Sequence, residues 1–311
     1  MCENIKIDSR EKALDYAIRD YELKDKDKFA KSGYTIKKEK KTYWNYLSND
    51  AWEEFKGKMK KAHLCQFEDA DGGELKEKKG RWGICPPKMA SFGSSSRFLY
   101  NISKDIVGFQ FEKLLPTRVG GTANLDGYIM RGDLDVFVEA KCREIYSSHI
   151  KVEVSKVYQE VYDKLAAEKD LLFSYEEICS KDKEHFDCTF KVNGEVIVHF
   201  DIKQLICHFL AISANILENE KANKNVKFVY LIFNPEDTDA ACFENEKVSS
   251  YKERIVNIYK ETIEEIGKFN MEKLFASVFQ IQADRLGIEG KKDFSFRFCI
   301  AKQKDYKEEI K

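Results

Sequence analysis

The stretch LDGYIMRGDLDVFVEAKCRE, residues 125–144, alternates apolar positions with polar and charged ones. An alternation with a period of two is typical of half-buried β-strands. Gly132 and Asp133 separate the two halves, and a Gly-X pair suits a two-residue type II′ turn. The pattern therefore predicts a β-hairpin whose turn lies at these two residues.

The segment before this hairpin has the apolar spacing of a helix. A helix over about residues 95–115 is predicted, with the serines of SFGSSS as its cap and Pro116 beyond its end. Glu112 lies at the edge of its apolar stripe. The stripe consists of Phe98, Ile102, Ile106 and Phe109.

The rest of the chain contains segments with the alternating pattern of strands and segments with the apolar spacing of helices. A strong hairpin signal is Asn193-Gly194 between alternating apolar residues. The other predicted elements, in chain order, are a mixed and partly helical stretch at 150–180, a helix at about 201–218, a strand in KFVYLIFNP (227–235), a helix at about 247–273, and two strand-like runs, LFASVFQIQ (274–282) and FSFRFCIAK (294–302). The pattern is that of an α/β protein.

Length and composition allow a substantial core, since 43% of the 311 residues are apolar and 13% are aromatic. The Gly- and charge-rich stretch DADGGELKEKKGRWGICPP (69–87) indicates a loop and a domain boundary near residue 90. We expect an N-terminal extension, 1–90, and a main domain, 91–311, with an insert at about 147–200. KKEKKTYWNY (37–46) has the composition of a nucleic-acid-binding surface, but a charged amphipathic segment packed on the main domain explains it more readily.

The net charge, the cysteine pattern and the lengths of the apolar runs limit the partners and the cellular location that we expect for the protein. The formal net charge is −1, so a polyanion would have to be bound by a local basic face. Nine cysteines without a C-x-x-C pair fit reduced thiols. Apolar runs such as VYLIF are far shorter than the roughly 20 residues of a membrane span. We expect a soluble, cytoplasmic protein with no membrane partner.

The charges of the predicted hairpin suggest chemistry. If Arg131 pairs with Leu134, the register places Asp126 opposite Glu139, and Lys141 shares a face with Glu139. Opposed carboxylates repel each other unless a cation lies between them, and Mg²⁺ or Mn²⁺ prefers such oxygen ligands. A salt-bridged hairpin on a solvated face is the alternative, although the strand DVFVEAKC is very apolar for an exposed position.

A helix with a Glu, a strand with LDG and an apolar strand ending in VEAK together resemble the PD-(D/E)xK nuclease superfamily over roughly residues 95–235. The resemblance implies a restriction-endonuclease-like core, a mixed central β-sheet flanked by α-helices. It implies that Asp126, Glu139 and the carbonyl of Ala140 hold Mg²⁺ or Mn²⁺. Leu125 departs from the Pro of the motif name, which weakens the recognition and leaves the chemistry unchanged.

The resemblance also implies roles for further residues. Lys141 would orient the attacking water, and Glu112 would match the acid that many members supply from the first core helix. Gln204 matches a Gln that some members carry on a later helix, although Asp201 and Gln204 also have the spacing of a capping box. Arg143 follows the motif and could contact phosphate; solvated charge explains it equally well.

Three functions follow as expectations. The leading one is a metal-dependent DNA endonuclease, similar to type II restriction enzymes. The second is a catalytically inactive nucleic-acid-binding or scaffold protein with a nuclease-like fold. The third is an unrelated α/β enzyme, but the sequence contains no Gly-rich phosphate loop and no G-x-S-x-G motif to support it. The sequence leaves three questions open: whether the substrate is DNA or RNA, whether one or two metal ions bind, and whether the protein forms a homodimer that cuts both strands.

Overall fold

The computed structural model describes residues 13–15, 17–18, 32–69, 74–80, 83–219, 225–237, 246–288 and 294–310. The strands in these ranges are β1 (Ser32–Ile36), β2 (Lys41–Leu47), β3 (Lys78–Gly80), β4 (Gly83–Cys85), β5 (Gln110–Pro116), β6 (Thr122–Arg131), β7 (Leu134–Lys141), β8 (Val152–Ser155), β9 (Phe173–Ser180), β10 (His185–Val192), β11 (Glu195–Val196), β12 (Asn225–Ile232) and β13 (Ser295–Lys302). The helices are α1 (Asn49–Gly57), α2 (Lys61–Asp69), α3 (Ser95–Ser103), α4 (Gln159–Ala167), α5 (Ile202–Glu218), α6 (Glu246–Gly267), α7 (Met271–Leu286) and α8 (Tyr306–Glu309).

A mixed five-stranded sheet in the order β13-β12-β7-β6-β5 lies at the centre of the fold. The pairs β5–β6 and β6–β7 are antiparallel, whereas β7–β12 and β12–β13 are parallel. Strand β7 is buried along almost its whole length, as its apolar sequence requires for a strand covered on both faces. Helices flank the sheet, so the mixed α/β class expected from the sequence is confirmed.

The predicted hairpin is confirmed in both its strands and its register. Strands β6 and β7 pair with Arg131 opposite Leu134 and Gly127 opposite Val138. Gly132 has a φ of +60°, and Asp133 is outside the positive-φ region. A positive φ at only the first turn residue is the signature of type II′, which Gly adopts without strain.

The helix predicted over 95–115 is wrong in its second half. Helix α3 ends at Ser103, and β5 begins at Gln110. Ser94 caps the helix by accepting a hydrogen bond from the backbone N–H of Arg97. Pairing with β6 satisfies the backbone of the later residues, and Phe109 packs where a Cβ on Gly127 would come within 2.4 Å of its ring. Glu112 therefore lies on a strand of the central sheet, not on a helix.

The insert forms a second, antiparallel sheet with β10 between β9 on one side and β8 and β11 on the other. The Asn193-Gly194 hairpin is confirmed, because both residues have positive φ, as a type I′ turn requires. The predicted helix at 201–218 matches α5, and the predicted strand in 227–235 matches β12.

The C-terminal part differs from one expectation. LFASVFQIQ belongs to helix α7 and is not a strand. The buried residues Leu274, Phe275, Val278 and Gln282 follow helical spacing. Asn270 caps the helix, and Gly287, at a φ of +63°, ends it. FSFRFCIAK is confirmed as a strand, β13, beside β12.

The N-terminal segment packs directly on the main domain. Trp52 and Phe67 belong to the same buried cluster as the residues of the central sheet, and Phe67 stacks on Phe111 of β5. In the Lys- and Tyr-rich segment, Tyr43 packs against the core while Trp44 is 51% exposed. The domain division near residue 90 stays a prediction. In the part of the chain that the structure describes, no helix has both the length and the apolar character to cross a bilayer.

Candidate active site

Three carboxylates lie in one row across three neighbouring strands. The β5–β6 register pairs Phe111 with Gly127 and Lys113 with Leu125, which leaves Glu112 opposite Asp126. The β6–β7 register, continued by one residue, brings Asp126 opposite Glu139. Directly opposed residues point to the same face of a sheet. The sheet thus aligns all three predicted acids.

Lys141 forms a buried ion pair at one end of this row. Its Nζ lies 2.6 Å from Oε1 of Glu139 and 2.6 Å from Oε1 of Gln204. Burial alone would lower the pKa of this ammonium, but Glu139 and the other nearby anionic groups outweigh burial and raise that pKa well above its usual range. Lys141 is therefore a cation held in a fixed position.

Gln204 forms two separate hydrogen bonds, one through its backbone and one through its side chain. Its backbone N–H donates to Oδ1 of Asp201 at 2.9 Å, which is the helix cap of α5. Its side-chain oxygen accepts from Lys141 on the neighbouring strand. The helix start thus aligns a side chain with the lysine.

Asp126 is half-buried, and its Oδ2 accepts a hydrogen bond from the backbone N–H of Ala140 at 2.7 Å. In an antiparallel strand the N–H and C=O of one residue point to the same side. The Ala140 carbonyl is therefore directed to the side of β7 on which Asp126 lies. Burial, and then the carboxylates of Glu139 and Glu112, raise the pKa of Asp126 well above its usual range.

Glu112 is held in an unusual backbone conformation, with a φ of +53°. It is only 7% exposed, and its Oε2 accepts from Nδ2 of Asn124 at 2.5 Å. Burial, followed by the carboxylates of Glu74 and Glu139, raises the pKa of Glu112 to about 7, while Asn124 and Ser96 act in the opposite direction. A non-glycine residue at positive φ is strained, and such strain is concentrated at functional sites.

Two groups beside Glu139 were not predicted from the sequence. The buried His208 of α5 has Nδ1 3.6 Å from Oε2 of Glu139. Burial lowers its pKa, against the opposing effect of Glu139. Tyr230 is opposite Glu139 in the β7–β12 pair, and a tyrosine inside an otherwise apolar run was the available signal for it.

Arg143 is partly engaged by the N-terminal segment. Its Nη1 lies 3.4 Å from Oδ2 of the buried Asp15, and its side chain is 40% exposed. Asn45 donates to the same Asp15 oxygen at 2.9 Å. Arg143 therefore lies at the edge of the site with part of its guanidinium open to a ligand.

A cavity of about 570 Å³ opens above the row of acids. The central sheet, the N-terminal segment and the region around the insert all contribute to its wall. The residues of the wall are Tyr46, Glu74, Lys88, Ser91, Gly93, Ser94, Ser95, Ser96, Glu112, Asn124, Asp126, Glu139, Lys141, Arg143, Glu144, Ile145, Ser147, His149, His199, Asp201, Gln204 and Tyr230. All predicted side chains of the site thus face one space.

The donors present suit a hard divalent cation. Oε2 of Glu139 and Oε1 of Glu112 are buried without a hydrogen-bond partner among the described residues, an arrangement that is costly for a carboxylate. Within the same residues, however, no three His, Cys, Asp or Glu side chains converge as a ready metal site. The oxygen donors fit a cation held by two carboxylates, a backbone carbonyl and water, as is usual for Mg²⁺.

Comparison with protein-family models gives no match to this chain, and comparisons with curated proteins and with solved structures give none either.

Proposed function

We propose that this chain is a metal-dependent nuclease of restriction-endonuclease-like fold that hydrolyses phosphodiester bonds of DNA. The observation that carries the proposal is the row of Glu112, Asp126 and Glu139 on adjacent strands, with Lys141 on the face of Glu139. The mixed sheet with flanking helices, and the order of LDG and VEAK strands along it, support the same assignment. The proposal includes DNA as the substrate and the cytoplasm as the location of the protein.

In this mechanism Asp126, Glu139 and the Ala140 carbonyl would hold Mg²⁺ or Mn²⁺. The bound cation would neutralise phosphate charge and lower the pKa of a coordinated water. The ammonium of Lys141, fixed by Glu139 and Gln204, is positioned to orient the attacking water and to stabilise the growing negative charge on the phosphate. Arg143 and Lys88, both on the cavity wall, supply positive charge for the flanking phosphates.

Cleavage of plasmid DNA by Glu139→Ala tests the assignment, with Glu168→Gln, an exposed carboxylate outside the cavity wall, as the matched control. We expect Mg²⁺-dependent cleavage by the parent and the control. Loss of a metal-holding carboxylate should reduce the rate by at least about a hundredfold. A Glu139→Ala variant as active as the parent would refute the assignment.

One observation favours the alternative, a nucleic-acid-binding or scaffold protein with a nuclease-like fold and no activity. Glu139 and Lys141 already neutralise each other in a buried pair, so the site is electrostatically satisfied in part without a cation. Salt-dependent DNA binding together with no Mn²⁺ binding in calorimetry would favour this alternative. Mn²⁺ binding that is lost in Glu139→Ala would favour the nuclease.

A further inference from the structure

The hairpin of β1 and β2 carries an exposed indole ring that packs on the backbone of the opposite strand. Trp44 is 51% exposed, although it lies in the middle of β2. A Cβ added to Gly33 would lie 3.2 Å from the Trp44 ring, so the ring packs directly against that glycine. Gly33 has a φ of +107° at an irregularity in the β1–β2 register, where a larger residue would be strained. The backbone therefore holds the ring in place while much of it is open to solvent.

Exposed lysines are concentrated on this hairpin and on its neighbour, the β3–β4 hairpin. The hydroxyl of Tyr43 in β2 donates to the carbonyl of Ile84 in β4 at 3.1 Å, so the two hairpins are joined. Nζ of Lys41 lies 4.6 Å from the centre of the Tyr43 ring, an attractive cation–π contact. The exposed lysines of the two hairpins are Lys37, Lys38, Lys40, Lys41, Lys78 and Lys79. Together with Trp44 they form what we call the basic surface.

Two acids near these lysines are engaged by the protein itself. Oε1 of Glu39, in the β1–β2 turn, accepts a hydrogen bond from the backbone N–H of Ile84 at 2.7 Å. Oε1 of Glu77, just before β3, accepts from the hydroxyl of Tyr34 at 3.3 Å. A polyanion needs a local basic face on a chain whose formal net charge is −1. The two hairpins supply such a face.

The β1–β2 hairpin also leads into the candidate active site. Tyr46 lies two residues after Trp44, at most about 7 Å along the strand, and is part of the cavity wall. Nδ2 of Asn45 donates to Asp15, which also contacts Arg143 at the edge of the site. A ligand bound along β2 would therefore reach the cavity without leaving the protein surface.

An exposed aromatic ring among lysines suits one class of ligand. Proteins bind single-stranded nucleic acids with positive charge along the backbone and aromatic side chains on which bases stack. A base can stack on a side chain only where its face is uncovered, and inside a duplex both faces are covered by neighbouring bases. We propose that the basic surface binds a single-stranded segment of DNA and directs it toward the cavity. The proposal rests on the proposed nuclease function, for which it names unpaired DNA as the substrate class.

Fluorescence anisotropy of a labelled oligothymidylate tests this surface in EDTA, where metal-dependent cleavage does not interfere. In Trp44→Ala we expect binding to weaken roughly 5- to 150-fold, the effect of losing one stacked base. Trp44→Phe, which keeps an aromatic face, should retain most of the affinity, whereas Trp44→Leu should not. Met130→Ala, at another exposed apolar residue, is the matched control and should bind like the parent. Thermal unfolding of each variant shows whether it is folded.

The salt dependence of binding tests the lysines separately from the ring. Replacement of both Lys38 and Lys40 by Gln should reduce the slope of log affinity against log salt by roughly 1.4, or about 0.7 for each lost phosphate contact. Lys307→Gln, an exposed lysine on α8, should leave the slope unchanged. A duplex of the same length should bind more weakly than the single strand, and Trp44→Ala should not affect its binding.

The outcomes separate this proposal from the proposed function. Equal affinity of the parent, Trp44→Ala and Trp44→Leu for oligothymidylate would overturn the basic surface and leave the nuclease assignment intact. Binding through Trp44 by a protein that cleaves no DNA in Mg²⁺ would support the surface and count against the nuclease. A duplex bound as tightly as the single strand would overturn unpaired DNA as the ligand. Binding to phosphatidylserine vesicles with no affinity for oligothymidylate would overturn it as well.

Discussion

The ammonium of Lys141 lies 2.6 Å from Oε1 of Glu139, and both side chains are almost fully buried. Burying two charges costs free energy that their attraction recovers only when the geometry is good. The Nζ of Lys141 also donates a hydrogen bond of 2.6 Å to Oε1 of Gln204, which improves the geometry of the pair on the lysine side. A buried ion pair of this kind contributes little net stability to a strand. Its presence here is better explained if the two groups act on a substrate.

Removal of the ammonium in Lys141→Met should destabilise the fold, because Glu139 would remain buried without its cation. Breaking a buried pair from one side costs about 3–5 kcal/mol. Urea unfolding of the parent and the variant in EDTA measures the difference. Lys164→Met, which removes a lysine whose pair with Glu160 is exposed, should cost much less. Equal stability of Lys141→Met and the parent would contradict the buried pair.

Two substitutions should distinguish the effects of the two hydrogen bonds of Gln204. Gln204→Ala removes the side-chain contact with Lys141 and keeps the backbone cap, so cleavage should fall roughly 10–100-fold with little loss of stability. Asp201→Ala removes the cap and should cost about 1 kcal/mol of stability. Cleavage rates and urea unfolding distinguish the two, with Gln280→Ala on the exposed face of α7 as the control. A Gln204→Ala variant with parental activity would exclude the orienting role.

Glu112 should make the metal-free protein less stable as the pH rises. Its pKa is raised from 4.5 to about 7, so between these values the folded state keeps a proton that the unfolded state has released. The contribution of Glu112 to stability is then greatest below about pH 4.5 and falls until about pH 7, by on the order of 3 kcal/mol. Urea unfolding in EDTA at several pH values measures this slope.

Glu112→Gln carries no titrating group and should lose that part of the slope. The raised pKa of Asp126 contributes a slope of the same sign, which should remain in the variant. A variant whose stability varies with pH as strongly as that of the parent would show that Glu112 titrates normally.

Glu265 of α6 supports the entry to α5, away from the proposed chemistry. Its two carboxylate oxygens accept hydrogen bonds from the backbone N–H groups of Val198, His199 and Phe200, at 2.8 to 2.9 Å. Glu265→Gln replaces one acceptor by a donor and should cost roughly 3 kcal/mol. Thermal unfolding should show a clear loss for this variant and almost none for Glu264→Gln, its exposed neighbour. Equal unfolding temperatures would argue against this support.

The local parts of the candidate site could be predicted from the sequence. The Gly132-Asp133 turn determines the hairpin register, so the opposition of Asp126 and Glu139 follows from nearby residues alone. Glu112 was expected on a helix, because the stripe of Phe98 and Ile102 continues in step to Phe109, and periodicity cannot show that pairing with β6 will be preferred.

Contacts between distant segments could not be predicted. His208 approaches Glu139 only because α5 packs over the sheet, and its spacing on that helix was equally that of a core residue. Glu74 reaches Glu112 from a Gly- and charge-rich stretch whose composition indicates a loop and gives no position for any side chain. Helix α7 was misread as a strand because LFASVFQIQ is too short a window to separate the two periods.

The central claim is that Lys141 and the aligned acids hydrolyse DNA with a divalent metal. The most direct measurement is the nicking and linearisation of supercoiled plasmid by the parent and by Lys141→Ala, each in Mg²⁺, in Mn²⁺ and in EDTA. We predict cleavage by the parent in either metal, none in EDTA, and a rate for Lys141→Ala lower by about 10²–10³-fold. Equal cleavage by the two proteins, or parental cleavage that persists in EDTA, would contradict the account.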